Sequence, residues 1–263
     1  MSKYPRVFVP PELIKEGEVR FTEELLHHLR RVLRIRSGSH FLVTDGKGSE
    51  YVVKFTAATK KPRGEILKSR PSTSESPLRS ILVQSVPKGN LMGQVLRKSV
   101  ELGVGEIWPI VTARTVAVMK SRSQKGRQER WQRIVEGAVA QSVRAGRPLL
   151  HETQTWEKCL AHTVDVELKL LLREGEGMGL KEVLREIPSL SSVLVAVGPE
   201  GGWRSEEVAE AVRAGFLAVG MGPRTLRTET AGPAALSVLQ YLYGDLGDPG
   251  GRGSHSVFLP EDV

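Results

Sequence analysis

Two apolar runs, Val166–Leu172 and Val193–Val197, read as strands covered on both faces, and each breaks off at a glycine-bearing loop. Strands buried on both sides belong to parallel sheets flanked by helices. A third, shorter strand, Phe216–Val219, ends in the same way. The loops are Arg173-Glu174-Gly175-Glu176-Gly177, Gly198-Pro199-Glu200-Gly201-Gly202, and Gly220-Met221-Gly222 running on to Thr230. In an open α/β sheet, ligands bind beyond the carboxyl ends of the strands. Glycine lets a main chain approach such a ligand closely. Three loops of this kind predict one binding site, and tight turns between packed elements are the plainer alternative for any single loop.

The surrounding pattern extends the same layout. Arg79–Val86 and Glu106–Val111 read as strands, and Leu91–Leu102 as a helix stopped by Gly103. Trp131, Ile134, Val135, Ala138 and Val139 share one face of a long helix that ends before Gly146-Arg147-Pro148. A helix over 206–214 takes Ser205 as its cap and Gly215 as its stop, and a final helix covers 231–242. The fold class is therefore α/β with a mainly parallel sheet.

The first seventy residues differ. They are mostly β, with an apolar run Arg6–Val9 and a hairpin of Phe41–Thr44 and Tyr51–Phe55 turned at Asp45-Gly46. Thr22 caps a helix whose apolar face is Leu25, Leu26, Leu29, Val32 and Leu33. A polar, proline-bearing stretch at 69–77 reads as a linker. The expected divisions are 1–72, 73–245 and a glycine-rich, mobile tail at 246–263.

Lys and Arg outnumber Asp and Glu by 38 to 30. The excess is clustered. Arg30, Arg31, Arg34 and Arg36 form one group, and Lys120, Arg122, Lys125, Arg127, Arg130, Arg133, Arg144 and Arg147 a second. Two such patches suit a phosphate backbone better than a small ligand. No run reaches the roughly 20 apolar residues of a membrane span, and the N-terminus lacks the apolar core of a signal peptide. Cys159 is the only cysteine, so no disulfide framework exists and a cytoplasmic location is expected. It reads as a small buried residue. The six histidines show no metal-ligand spacing, and no metal is expected.

Common nucleotide fingerprints fail. A P-loop would need glycine at position 41, which is Phe41. Gly175, Gly177 and Gly179 imitate a dinucleotide loop, but its third glycine falls on Leu180. The acidic residue that Rossmann-type methyltransferases carry two positions earlier is Arg173.

Two segments are far more specific. Gly222 followed by Leu226-Arg227-Thr228-Glu229-Thr230-Ala231, together with Gly198-Pro199-Glu200-Gly201-Gly202, resembles the signature pair of the RsmE family of RNA methyltransferases. Lys98–Val104 is similar to that family's first sheet-flanking helix, and Gln141-Ser142-Val143-Arg144 with Arg147-Pro148 to its Gln-Ser-x-Arg segment. Arg6–Val9 and His28–Arg34 fit its PUA-like RNA-binding barrel. Gly103-Val104-Gly105 is more flexible than the family pattern. The likeness spans the chain to about residue 245.

The resemblance implies a SPOUT-class trefoil-knot domain behind a small PUA-like β-barrel, although general topology rules disfavour knots. It implies a homodimer, S-adenosylmethionine as cofactor, and methylation of uridine N3 in 16S ribosomal RNA of the small subunit. Cofactor contacts fall on Leu172, Gly198, Pro199, Glu200, Gly201, Gly202, Met221, Gly222, Leu226, Arg227 and Thr228. RNA contacts fall on Arg6, Arg30, Arg31, Arg34, Gln141 and Arg144. Uridine N3 carries a proton, so the site must accept it and stabilise charge on the flanking carbonyl oxygens. Arg144 and Arg227 are candidates for the second task, and Glu200 and Glu229 for the first or for balancing the cationic cofactor. Trp203 either stacks on a base or plugs the loop. Another RNA target, or a non-catalytic RNA-binding factor on the same fold, stays open at this point.

Overall fold

The structure is a computed structural model that describes residues 4–57, 62–71, 75–115, 124–142, 144, 146–162, 165–175 and 178–247. Outside them lie Ser72 to Ser74 of the linker, Lys120, Arg122, Val143, Glu176, Gly177 and the tail from residue 248 with His255. The chain divides into two compact units. One comprises Met1–Glu75, Val139–Arg147 and Gly247–Val263, and the other Ser76–Ala138 and Pro148–Leu246.

In the first unit, β1 (Arg6–Phe8), β2 (Ile14–Lys15), β3 (Glu18–Arg20), β4 (His40–Thr44), β5 (Ser49–Thr56) and β6 (Arg63–Pro71) form one sheet. Its order is β1-β4-β5-β6-β3-β2. Only the β1–β4 pairing is parallel. Its alternate residues bury Val7, Phe41, Val43, Val53 and Phe55 around Leu29 and Ile35. The Asp45 carboxylate accepts from the Lys47 and Ser49 amides at 2.8 and 3.0 Å, and this closes the hairpin turn.

Thr22 caps α1 (Glu23–His27), accepting from the Leu25 amide. The chain then widens into a π turn over His28–Val32 and leaves it with Arg34 in the left-handed region, φ 55°. The extra residue in that turn shifts the helical phase. Val32, expected on the buried face, is consequently 61% exposed, while Leu29 remains buried.

The second unit is built on a sheet in which every pairing is parallel. Its strands are β7 (Arg79–Ser85), β8 (Glu106–Val111), β9 (Leu149–Leu150), β10 (Gln154–Thr155), β11 (Leu168–Leu172), β12 (Met178–Gly179), β13 (Ser192–Val197) and β14 (Leu217–Gly220). The order is β10-β8-β7-β13-β11-β14-β12, with β9 beside β8. The helices are α2 (Met92–Glu101), α3 (Gln124–Gln141), α4 (Trp156–Ala161), α5 (Leu180–Arg185), α6 (Ser205–Arg213) and α7 (Thr228–Tyr243).

One face of the sheet packs Ile81, Val83, Leu171, Leu194 and Ala196 against Trp156, Cys159, Ala211 and Phe216. Burial pushes the Cys159 thiol up to about 12. On the other face, Gly232 of α7 sits so close to β7 that an added Cβ would lie 3.1 Å from a Leu82 methyl.

Two expected boundaries move. Ser205 is the first helical residue of α6 rather than its cap, because the buried Glu207 carboxylate accepts from the Arg204 amide at 2.8 Å. α7 starts at Thr228, three residues earlier than expected, and carries Pro233 inside it. Pro233 falls in the second turn of the helix. In β11, Lys169 is half-buried and snorkels, its ammonium 6.0 Å from the Phe216 ring centroid.

Candidate active site

β11, β13 and β14 lie together in the sheet, so the loops leaving their carboxyl ends meet. Three hydrogen bonds tie them. The Arg173 amide donates to the Val219 carbonyl at 3.0 Å. Trp203 Nε1 donates to the Leu172 carbonyl at 2.9 Å. The buried Thr228 hydroxyl donates to the Gly198 carbonyl at 3.3 Å. Each bond joins a different pair of segments, so the three strand ends are held as one frame.

Trp203 is a plug. Its ring packs at a tilt against Trp156, with 4.7 Å between centroids. A Cβ placed on Gly198 would sit 2.8 Å from its indole nitrogen. Glycine at 198 is therefore a requirement of space. At 202 and 222 it is one of backbone, with φ of 72° and 114°.

The frame encloses a cleft of about 630 Å³. From the second loop it is lined by Gly198, Pro199, Glu200 and Gly202, and from the third by Met221, Gly222, Leu226, Arg227 and Thr228. Leu172 lines it from the end of β11. Gly201 does not line it, and its carbonyl accepts from the Arg114 guanidinium instead. The Ala113 amide donates to Glu207 at 3.0 Å, so the loop after β8 is pinned to α6 beside the cleft.

The two candidate carboxylates differ. Glu200 is exposed, and its Oε1 accepts from the Lys88 amide at 2.7 Å, anchoring the loop after β7. Glu229 lines the cleft from the first turn of α7 and is buried, with its Oε1 3.9 Å from Arg227 Nη1. A carboxylate at a helix N-terminus is favoured by the peptide dipoles. The Arg227 side chain itself is 85% exposed.

Several expected RNA contacts lie in the first unit. Arg6 is committed to Glu50, which also receives Arg70 at 2.7 Å, and the Arg6 side chain is 8% exposed. Arg144 is buried as well, with Nη2 2.6 Å and Nε 3.2 Å from Glu75 Oε2. Glu75 Oε1 also accepts from the Gly146 amide at 2.7 Å. Arg6 and Arg144, expected at RNA or at the reacting base, are each ion-paired in this structure, Arg6 with Glu50 and Arg144 with Glu75. Gln141 is exposed at the end of α3. Arg30, Arg31, Arg34 and Arg36 are all exposed, with the Arg30 guanidinium 5.9 Å from the Phe55 ring centroid.

The cleft also takes residues that the sequence motifs did not single out for it, among them Leu91, Arg173, Glu174, Arg224 and Thr225. Arg173 and Arg224 stand in the same glycine-bearing loops, where position was the available signal. Among the described residues, no three His, Cys, Asp or Glu side chains group as metal ligands. None of the described helices is long and apolar enough to cross a membrane.

Comparison with known proteins agrees with this geometry. The family described as RNA methyltransferase domain matches residues 74–240, and the one described as RNA methyltransferase PUA domain matches residues 21–62. Ribosomal RNA small subunit methyltransferase E of Synechocystis sp. is 32% identical over 240 residues, covering 90% of this chain and 77% of the relative. The Bacillus subtilis protein of that name is 28% identical, covering 84% and 88%. Among solved structures, ribosomal RNA small subunit methyltransferase E from Neisseria gonorrhoeae bound to S-adenosyl methionine superposes with TM-score 0.82 at 34% identity, covering 92% and 99%. A putative methyltransferase from Legionella pneumophila with bound SAM gives TM-score 0.84 at 31% identity, covering 93% and 100%.

Proposed function

The chain belongs to the ribosomal RNA small subunit methyltransferase E family, and on that premise we propose that it methylates N3 of a uridine in 16S ribosomal RNA, using S-adenosylmethionine. The observation that carries this reading is the cleft itself. Two loops that resemble the family's signature pair enclose about 630 Å³ at the carboxyl end of a parallel sheet, within the roughly 300–1,000 Å³ of small-molecule sites.

The residues present fit the cofactor. Backbone groups at Gly198, Gly202, Met221, Gly222, Leu226 and Arg227 would hold the adenine, with Leu172 lining the same cleft. Pro199 and Thr228 shape the loops, and Gly201 supports them through Arg114. When bound, S-adenosylmethionine supplies an electrophilic methyl group.

The chain's own residues prepare the base. Uridine N3 becomes nucleophilic as its N–H bond breaks, and the charge spreads to the two carbonyl oxygens. The exposed Arg227 guanidinium is placed to donate to one of them, a contact worth about 3 kcal/mol when well aligned. Glu229, buried in the cleft wall, balances positive charge and is the favoured proton acceptor, because Glu200 is engaged by the Lys88 amide. Arg144 acts through architecture, fixing the 139–147 segment on Glu75.

The PUA-like domain, taken as residues 1–72, holds RNA through Arg30, Arg31 and Arg34, and Gln141 belongs to the same compact unit. The SPOUT methyltransferase domain, with the trefoil knot of that class, is drawn from residues 73–245, apart from the 139–147 segment that clusters with the first unit. A homodimer is supported by an apolar stripe on α7, where Val238, Tyr241 and Leu242 are 39%, 69% and 51% exposed. The site of action is the cytoplasm, where small subunits are assembled. Methyl transfer to small subunits, followed by nucleoside mass spectrometry, tests the function. Appearance of 3-methyluridine is expected, and a different methylated nucleoside overturns the assignment of N3.

A further inference from the structure

Arg173 and Arg224 have no place in the roles assigned so far. Arg173 directly follows β11, and Arg224 stands between β14 and α7. β11 and β14 are paired neighbours, with Leu172 opposite Val219, so the two loops that carry these arginines leave adjacent strand ends, and both arginines line the cleft.

Neither is held by an acidic partner. Arg173 Nε reaches only the Glu174 backbone carbonyl, at 3.5 Å. No hydrogen bond or ion pair engages Arg224 among the described residues. Both are exposed. The contrast with Arg6 and Arg144 is direct, since those two are buried on Glu50 and Glu75. A guanidinium left out in water contributes little to folding, yet it presents a planar fork that fits a phosphate.

We propose that Arg173 and Arg224 form a phosphate-binding pair that seats the RNA strand beside the target nucleotide. The proposal rests on the methyl-transfer reading and adds where the strand lies. A base can enter the cleft only by leaving its stack, and its flanking phosphates then stay at the rim. The rim also carries the carboxylates of Glu174 and Glu200, which repel phosphate. The two guanidinium groups offset that repulsion and give the strand its cationic contacts. Phosphate contacts of this kind set register and carry no sequence information of their own.

The test compares wild type with Arg173→Ala, Arg224→Ala, the double variant and the double lysine variant. RNA binding is followed against salt with a 16S fragment, and S-adenosylmethionine binding separately by calorimetry. The double alanine variant is expected to lose roughly tenfold or more in RNA affinity, with a salt slope reduced by about 1.4 for two single-strand phosphates. Its cofactor affinity stays within about twofold, and lysine restores much of the slope because charge is retained. Unchanged RNA affinity and slope overturn the proposal. Lost cofactor affinity with unchanged RNA binding overturns it too, and assigns the arginines to the cofactor's carboxylate. A wild type that shows the arginine-dependent slope but takes no cofactor overturns methyl transfer, and with it the seating of a target nucleotide, and leaves only a phosphate contact at the two arginines.

Discussion

The indole Nε1 of Trp203 donates to the main-chain carbonyl of Leu172 at 2.9 Å, joining the loop after β13 to the end of β11. This bond leaves the ring lying on Gly198, with no room for a Cβ there. The cofactor cleft is thus built on one aromatic side chain that is itself held at the far end.

Gly198→Ala should therefore force the indole away from Leu172. We expect S-adenosylmethionine affinity to fall at least about tenfold, and stability by about 1–3 kcal/mol as overpacking requires. Trp203→Phe removes the donor together with part of the ring that packs on Trp156, and should cost about 1–3 kcal/mol. Calorimetry and thermal melts check both, and a fully active Gly198→Ala protein would refute the packing account.

Glu75 holds Arg144 and the Gly146 amide together. Glu75→Ala removes the carboxylate that faces the buried Arg144 guanidinium, and the expected loss is about 2–3 kcal/mol, discounted because Glu75 is partly exposed. The double variant Glu75→Ala/Arg144→Ala should lose less than the sum of its parts. Denaturant unfolding of the four proteins measures the coupling, and strict additivity would show that the pair is not a unit.

Arg34 adopts φ 55°, a conformation that glycine tolerates better than arginine. Arg34→Gly is expected to hold or raise stability by about 0.5–1 kcal/mol. The same change, combined with Arg31→Gln, should weaken RNA binding and flatten its salt dependence. Fold and charge are separated in one pair of substitutions. An unchanged salt slope removes this patch from the RNA surface.

Glu106 accepts from Arg79 at 3.0 Å, from Trp108 at 3.2 Å, and lies 3.0 Å from His151. Burial pushes its carboxyl up, but the hydrogen bonds from Arg79, His151 and Trp108 and the Arg79 charge outweigh it and leave it below its ordinary value. A carboxyl lowered by folding contributes stability above its unfolded pKa and loses it as pH falls through the folded one. Unfolding free energies from neutral to acid pH should thus decline more steeply for wild type than for Glu106→Gln. Parallel curves would contradict this.

Much of the cleft was legible because its signals are local. The Val193–Val197 run, its Gly-Pro-Glu-Gly-Gly exit and the Leu226–Ala231 segment each declare themselves within a few residues. Ion pairing is not local. Arg6 meets its partner 44 residues away and Arg144 meets Glu75 69 residues away, so both looked available for RNA. The assignment of 139–147 to the first unit escaped for the same reason, since a continuous helix reads as one domain until the Glu75 clamp is seen. Val32 was misplaced by a π turn that leaves no mark in an apolar spacing.

Titration of the intact protein with S-adenosylmethionine in a calorimeter tests the shared cleft most directly. Saturable binding at one cofactor per chain in wild type, greatly weakened in Gly198→Ala, is the expected result. A wild-type protein that gives no binding heat, or a Gly198→Ala protein that binds as tightly as wild type, would contradict a cofactor site between the 198–203 and 221–229 loops.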